Sequence, residues 1–158
     1  MPDLNQGRWR QVALFPNVTA PLVGHGYRPD LLCVTSSYEF EEEGYLVTNI
    51  GFDKETQEEA FIFATLDYTN DNLLLQLDPI LDLPEEVYQV LDTDYVSYAS
   101  VWNCKEFPMF GILVRREFAW ILAREEVIED RTLKNAIEAY KRFGIDVEQF
   151  DISNHRSC

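Results

Sequence analysis

Short apolar segments recur along most of this chain, each about as long as one β-strand and each ended by prolines, glycines or acidic residues. Helical periodicity is absent from this part of the sequence, so a fold built from alternating strands and helices is disfavoured. Eight segments are predicted as strands: 8–15, 33–40, 45–52, 60–66, 72–77, 87–93, 98–104 and 117–124.

The period changes near the C-terminus, where Leu133, Ala136, Ile137 and Tyr140 follow the spacing of an amphipathic helix. Asp130 is predicted to cap the helix and Gly144 to end it, and a last short strand is predicted over 149–152. This order predicts a single all-β domain over residues 1–158, in which an antiparallel sheet closes on itself and one helix packs outside. A β-sandwich with an appended helix fits the same pattern.

The charge balance excludes several classes of partner. Twenty-eight Asp and Glu against thirteen Lys and Arg give a net charge of −15, which repels nucleic acid and anionic membranes. No apolar run reaches the roughly 20 residues of a spanning helix. Solubility explains the acidity, and an acidic pocket for a cationic ligand is the alternative. Because Asp and Glu concentrate in turns and in the helix, no carboxylate-lined pocket is evident.

The cysteines and one sequon indicate an oxidising compartment. Cys33, Cys104 and Cys158 lack the close spacing of a zinc site, so no metal is predicted. Asn17-Val18-Thr19 predicts glycosylation at Asn17. No signal peptide precedes the first strand, and a mature secreted protein would also lack one.

Three segments in the same order resemble the signature motifs of the lipocalin family. They are Gly7-Arg8-Trp9, Thr93-Asp94-Tyr95 with Tyr98-Ala99, and the strand 118–124 that ends in Arg124. The third is similar to the apolipoprotein D group and to the bilin- and pigment-binding lipocalins of arthropods. Arg10 departs from the family pattern, which often has an aromatic residue after the tryptophan.

The resemblance implies an eight-stranded antiparallel up-and-down barrel with one C-terminal α-helix packed outside. It also implies a secreted carrier that holds a small hydrophobic ligand non-covalently. Bilins, carotenoids, retinoids, sterols and fatty acids are compatible, so a bilin or carotenoid chromophore is the cofactor to look for, although none is required.

The same resemblance gives structural roles to the motif residues. It implies that Trp9 lies across the narrow end of the barrel under Arg124, where a cation–π contact contributes about 0.5–2 kcal/mol. Thr93, Asp94 and Tyr95 are expected to fix a tight turn through side-chain to backbone hydrogen bonds. No residue is predicted to be catalytic, and an acid–base pair of Asp92 and Asp94 is the disfavoured alternative.

The cysteines receive pairings only through the resemblance. It implies a Cys33–Cys158 disulfide, which would stabilise the fold by roughly 4–5 kcal/mol in the chain-entropy model. Cys104 resembles a cysteine that pairs upstream of the first motif, and residues 1–6 contain no cysteine. Cys104 is therefore expected to be free or to pair with a cysteine that precedes residue 1.

Strand alternation, anchored on the motif residues, assigns side chains to the interior. Besides the ligand contacts, it places Ala13, Phe15, Phe40, Asp92 and Leu122 inward, and Cys33 and Cys104 outward. The predicted ligand contacts are Gln11, Val34, Ser36, Tyr38, Tyr88, Val90, Ala99, Val101, Asn103, Phe118 and Trp120.

Two other functions stay open. An enzyme such as an isomerase would need an activated thiol inside the barrel, and the alternation points the cysteines outward. An amine-binding or protein-binding lipocalin is the second alternative. His25 is predicted to be an exposed loop residue, with a heme or ligand contact as the alternative, and the outward Trp102 is compatible with a homo-oligomer as well as with helix packing.

Overall fold

The structure is a computed structural model that describes residues 7–18, 31–42, 44–69, 72–77, 85–148, 150–152 and 158. The first five strands are β1 (Gly7–Val18), β2 (Leu31–Glu41), β3 (Gly44–Asp53), β4 (Glu59–Thr69) and β5 (Asn72–Leu77). The remaining elements are β6 (Glu86–Thr93), β7 (Tyr98–Met109), β8 (Ile112–Ala123), helix α1 (Asp130–Arg142) and β9 (Asp151–Ile152).

Neighbouring strands pair antiparallel in sequence order, and β1 closes the sheet by pairing with both β8 and β2. The eight long strands therefore form a closed barrel, with α1 packed outside. This confirms the predicted barrel, and the alternative of a β-sandwich with an appended helix is wrong.

The closing strand β1 changes partner along its length. Gly7–Arg10 pairs with β2, whereas Ala13 and Leu14 pair with β9. A register shift between Gln11 and Ala13 separates the two parts. It is consistent with a β-bulge, which adds a residue and reverses the alternation beyond it.

The prediction that residues 13 and 15 share a face with Trp9 is therefore wrong. Ala13 and Phe15 lie opposite Ile121 and Ala119 of the outer face, and Leu14 takes the position opposite Trp120. Gln11 precedes the shift and lies opposite Leu122, as predicted.

The β7–β8 hairpin extends five residues beyond the strand predicted to end at 104. Its two-residue turn consists of Phe110 and Gly111, with φ values of 49° and 80°. Two consecutive positive φ values match the twist of a β-hairpin, and glycine adopts them without a steric penalty. Pro108 lies within the ladder opposite Leu113.

Buried side chains form one cluster on each face of the barrel wall. The inner cluster contains Trp9, Tyr38, Tyr88, Val101 and Phe118 among others. The outer cluster lies between the wall and α1, and contains residues of α1 together with Ile121 and Ala119 of β8. No helix in the described ranges is long and apolar enough to cross a membrane.

Tyr140 anchors α1 to the wall. Its side chain is fully buried, and its hydroxyl lies 2.6 Å from the Trp120 carbonyl oxygen and 3.0 Å from that of Val101. The Ser100 hydroxyl donates 2.9 Å to the carbonyl oxygen of Ala136. Trp102 packs in the same outer cluster, which is the helix-packing alternative predicted for it.

The ends of α1 differ in how well the sequence predicted them. Asp130 is the first helical residue rather than the cap, because the N-cap position belongs to Glu129, which makes no side-chain capping bond. Gly144 has a φ of 72°, and the amide of the next residue, Ile145, donates to the Tyr140 carbonyl oxygen. This left-handed helix end is the one predicted.

A disulfide joins Cys33 of β2 to Cys158, with 5.8 Å between the Cα atoms and 125 residues of sequence separation. It thereby links residue 158 to β2, whose pairing with β1 ends at Arg10. The pairing implied by the family resemblance is confirmed.

Replacing Cys158 by Ser is expected to lower the free energy of unfolding by about 5 kcal/mol, because the long loop is no longer restricted in the unfolded chain. Urea unfolding of wild type and variant measures the difference, and Cys104→Ser, a replacement of the free thiol, is the matched control. Equal stability of Cys158→Ser and Cys104→Ser would contradict this role.

Candidate functional site

The inner face of the barrel is mainly aromatic and aliphatic. Phe118 and Trp120 stack with ring centroids 5.5 Å apart and 18° between their planes, a favoured arrangement for aromatic pairs. Val101 lies opposite Trp120 across the β7–β8 ladder, and Ala99 lies opposite Leu122. A surface of this kind suits contact with an apolar molecule.

Most of the predicted contact residues occur on this inner face. Val90 and Trp120 pack against the inner cluster as partly buried side chains, and Val34 is half-buried beside a register shift in β2. Gln11 is placed only by its register opposite Leu122. The fully buried members of the predicted set are Ser36, Tyr38, Tyr88, Ala99, Val101, Asn103 and Phe118.

Asp92 and Phe40 were both predicted to face inward. Asp92 lies on the outer face instead, and Phe40 is only partly buried. A register shift between Val90 and Asp92 places Asp92 opposite Ser100, on the outer face. There its carboxylate accepts a hydrogen bond of 2.9 Å from Arg142 of α1. Phe40 lies opposite Tyr45 and contacts its ring, but the side chain is 55% exposed.

Tyr38 of β2 and Tyr88 of β6 form a polar pair on the inner face. The Tyr38 and Tyr88 hydroxyl oxygens are 3.2 Å apart. Burial, opposed in part by hydrogen bonds to Tyr88 and Ser36, raises the pKa of Tyr38 to about 12, and burial also raises the pKa of Tyr88. Both phenols are therefore neutral hydrogen-bonding groups at physiological pH.

Asn49 is fully engaged within the wall. Its Oδ1 accepts a 2.6 Å hydrogen bond from Ser36, and its Nδ2 donates to the Ile62 carbonyl oxygen at 3.4 Å. Asn49 is not among the predicted contacts, although alternation with Tyr45 and Val47 places it inward.

Glu86 is the other inward residue that the sequence analysis missed, because the predicted strand began at residue 87. Its side chain is 1% exposed and lies opposite Leu75, a member of the inner cluster. The Asn103 side-chain amide donates a hydrogen bond to the Glu86 carboxylate. Glu86 is thus an acidic residue of the inner face that lies outside the turns and the helix, where the sequence places most of the Asp and Glu residues.

Trp9 and Arg124 meet at the end of the barrel where β1 and β2 are paired, which we call the base. The Arg124 guanidinium carbon lies 3.7 Å from the centroid of the fully buried Trp9 ring. Arg124 also donates 2.9 Å to the Arg8 carbonyl oxygen. Partial burial lowers the pKa of Arg124, but a guanidinium stays charged.

The β6–β7 turn at the base is organised by two side chains. Asp94 Oδ1 accepts from the amides of Val96, Ser97 and Tyr98 at 3.0, 2.7 and 3.1 Å. The Thr93 hydroxyl donates 2.6 Å to the Tyr98 carbonyl oxygen and accepts from the Tyr95 amide at 3.0 Å. Tyr95 is exposed and has a φ of 65°.

The charged state of Asp94 is strongly favoured. Partial burial opposes ionisation, but hydrogen bonds from the Ser97 hydroxyl and from the three amides outweigh it and lower the pKa from 3.8 to about 2. The turn therefore contains a carboxylate that stays ionised well into acid solution. This geometry leaves Asp94 without the shared proton of an acid–base pair.

None of the three cysteines of the sequence is an inward free thiol. Cys33 and Cys158 form the disulfide, and Cys104 is free, half-buried and opposite Glu117 of the outer face. Burial raises the pKa of Cys104 despite a hydrogen bond with Arg115. Within the described part of the chain, no group of three or more metal-binding side chains is placed to hold an ion.

Comparisons with known proteins agree with this architecture. No family model matches the chain. Mouse apolipoprotein D is 30% identical over 86 residues, which cover 54% of this chain and 43% of the mouse protein. The match thus spans less than half the length of that relative. Lobster apocrustacyanin A1 superposes with a TM-score of 0.75 at 20% identity, over 97% of this chain and 78% of the other.

The chain has the lipocalin fold, and about half of its sequence is similar to apolipoprotein D. Insecticyanin from the tobacco hornworm Manduca sexta shares the fold as well, with a TM-score of 0.69 and 20% identity over 96% of this chain and 78% of its own. The motif resemblance to lipocalins is confirmed.

Several predictions concern residues at or beyond the edge of the described ranges. Asn17 lies in β1 opposite Glu117, and Thr19, which completes its sequon, lies outside the described residues. His25 and Gln149 also lie outside them. Glycosylation of Asn17 therefore stays a prediction.

Replacing Arg124 by Met is expected to lower the free energy of unfolding by about 1–2 kcal/mol, because the indole of Trp9 loses its cation and Arg8 loses a donor. Arg142→Met is the matched control, since it breaks an exposed ion pair with Asp92 that contributes about 0–1 kcal/mol. Thermal and urea unfolding measure both. If the two substitutions lowered the free energy of unfolding equally, the Trp9–Arg124 contact would contribute no more than an exposed ion pair.

Acid is expected to remove the contribution of Asp94 between about pH 4 and about pH 2. The folded-state pKa lies below the ordinary value of 3.8, so the stabilisation is present above that value and lost as pH falls through about 2. The stability difference between wild type and Asp94→Asn should therefore narrow across this window in urea unfolding. A difference that stays constant or widens would contradict the assignment.

Proposed function

We propose that this lipocalin is a carrier that holds one small hydrophobic molecule non-covalently inside the barrel. The observation that supports this most directly is the inner face, where Phe118, Trp120, Tyr88 and Val101 present apolar area from adjacent strands. Eight strands enclose a volume suited to a single small ligand. Binding would bury most of an apolar molecule without any chemical step.

Residues at the base belong to the scaffold in this proposal. Trp9 and Arg124 close one end, and Thr93, Asp94 and Tyr95 fix the neighbouring turn. The ligand would then contact side chains farther along β7 and β8, namely Val101, Asn103, Phe118 and Trp120. Gln11, Val34, Ser36, Tyr38, Val90 and Ala99 complete the proposed lining.

Ligand class follows from the family only in outline. Bilins, carotenoids, retinoids, sterols and fatty acids remain candidates, and a bilin or carotenoid would colour the purified protein. The disulfide supports a secreted protein, because such bonds persist in oxidising compartments. The outward position of Cys104 and its raised pKa argue against the thiol enzyme considered from the sequence.

Filling the interior tests the proposal. Val101→Trp is expected to weaken binding of the best ligand among biliverdin, astaxanthin, retinol, cholesterol and oleate by at least about tenfold, or about 1.4 kcal/mol. A hollow barrel would also accept the indole with little change in melting temperature, whereas a solid core loses about 1–3 kcal/mol on overpacking. Fluorescence titration and thermal unfolding give the two readouts.

The matched control is Val87→Trp, which adds the same side chain at a position on β6 that is 36% exposed. It should leave affinity unchanged. The carrier proposal would be wrong if none of the five molecules bound to wild type. It would be equally wrong if Val101→Trp bound the ligand as wild type does.

A further inference from the structure

The buried pair of Glu86 and Asn103 gives the inner face a polar position of defined chemistry. Glu86 is 1% exposed and Asn103 is fully buried, although both residue types are ordinarily found at the surface. Their side chains meet between β6 and β7, where Asn103 donates to the carboxylate. The interior thus contains a carboxyl group that is hydrogen-bonded to a side-chain amide.

The orientation of the amide follows from this contact. The amide nitrogen of Asn103 donates to Glu86, so the amide oxygen on the same planar group points away from the carboxyl group. That oxygen, Oδ1, is buried and has no hydrogen-bond partner among the residues that the structure describes. Leaving such a group unpaired costs about 1–3 kcal/mol.

The position of the pair links it to the apolar lining. Asn103 lies directly opposite Phe118, which stacks on Trp120. Asn103 also follows Ala99 and Val101 on the inner face of β7, and is therefore farther from the base than either. A molecule lying against the two aromatic rings would bring one of its ends close to the Asn103 amide oxygen.

We infer that the preferred ligand is an apolar molecule with a hydrogen-bond-donating head, a hydroxyl or an amine, which donates to Oδ1 of Asn103 beside the Glu86 carboxylate. This rests on the proposed carrier function and narrows it. A carboxylate head has no proton to donate to the Asn103 amide oxygen. The net charge of −15 also disfavours entry of an anion.

Matched ligands with one chain and three heads test the inference. Dodecanol, dodecylamine and dodecanoate are titrated at neutral pH by displacement of a bound fluorescent apolar probe. Wild type is expected to bind dodecanol, dodecylamine or both at least about tenfold more tightly than dodecanoate. If the amine is preferred over the alcohol, the charge of Glu86 contributes, and Glu86→Gln should remove that preference.

Asn103→Leu should reduce the advantage of the alcohol or amine over dodecanoate to less than about threefold. Asn49→Leu is the control, because the Asn49 side chain already has partners at both its oxygen and its nitrogen. It should leave the order of the three ligands unchanged. Thermal unfolding of each variant establishes that the comparison is made on folded protein.

The outcomes separate this inference from the carrier function. Dodecanoate binding as tightly as the other two ligands, as expected if water alone occupies the position, would overturn the head-group inference and leave the carrier in place. An unchanged preference in Asn103→Leu would overturn it as well. Failure of all three ligands to bind would remove the carrier proposal together with the inference.

Discussion

The fold depends on one strand having two partners at once. β1 pairs with β8 along most of its length and with β2 through Gly7–Arg10 only, so the barrel is closed by a short ladder at the base. Beyond Arg10, the edge of β1 is taken by β9. The Cys33–Cys158 disulfide then ties the C-terminus to β2, the strand from which β1 has parted.

The base explains why the motif residues occur together. Trp9 belongs to the short ladder of β1 with β2, and Arg124 follows β8, the other partner of β1. Their contact links the β1–β2 ladder to the end of β8. The Asp94 turn fixes the neighbouring ends of β6 and β7. With one end fixed in this way, the proposed ligand contacts on β7 and β8 lie on the inner face farther from the base.

The outer face of the barrel wall holds the helix, whereas the inner face presents side chains to the barrel interior. On the outer face, Ser100 of the wall donates to a backbone oxygen of α1, and Tyr140 of α1 donates to backbone oxygens of the wall. These hydrogen bonds hold α1 in place, while the side chains of Val101 and Trp120 lie on the inner face. The inner face also places the Glu86 carboxyl group and the Asn103 amide close to the rings of Phe118 and Trp120. A polar pair in this position adds little to a core, whereas it can distinguish one ligand head group from another.

Sequence reasoning worked where the signal is local or carried by a motif. Strand periodicity, the helix over Leu133 to Tyr140 and the left-handed Gly144 were all predictable from neighbouring residues. The Cys33–Cys158 pairing required the family resemblance. On β7 and β8, where no register shift intervenes, alternation placed Ala99, Val101, Asn103, Phe118 and Trp120 correctly.

Register shifts account for most of the errors. The shift in β1 pairs positions 13 and 15 with outer-face residues of β8. The shift in β6 places Asp92 on the outer face, where it contacts Arg142 of α1. Such shifts depend on how two distant strands align, which a single sequence does not reveal. Glu86 was missed for a simpler reason: a charged residue at the start of an apolar segment was assigned to the preceding turn.

A crystal structure of the protein with a bound apolar ligand would show whether the ligand lies inside the barrel. Density is expected for one molecule against Phe118 and Trp120, with Trp9 and Arg124 still in contact below it. An interior filled by side chains, or a ligand found only on the outer surface, would contradict the account.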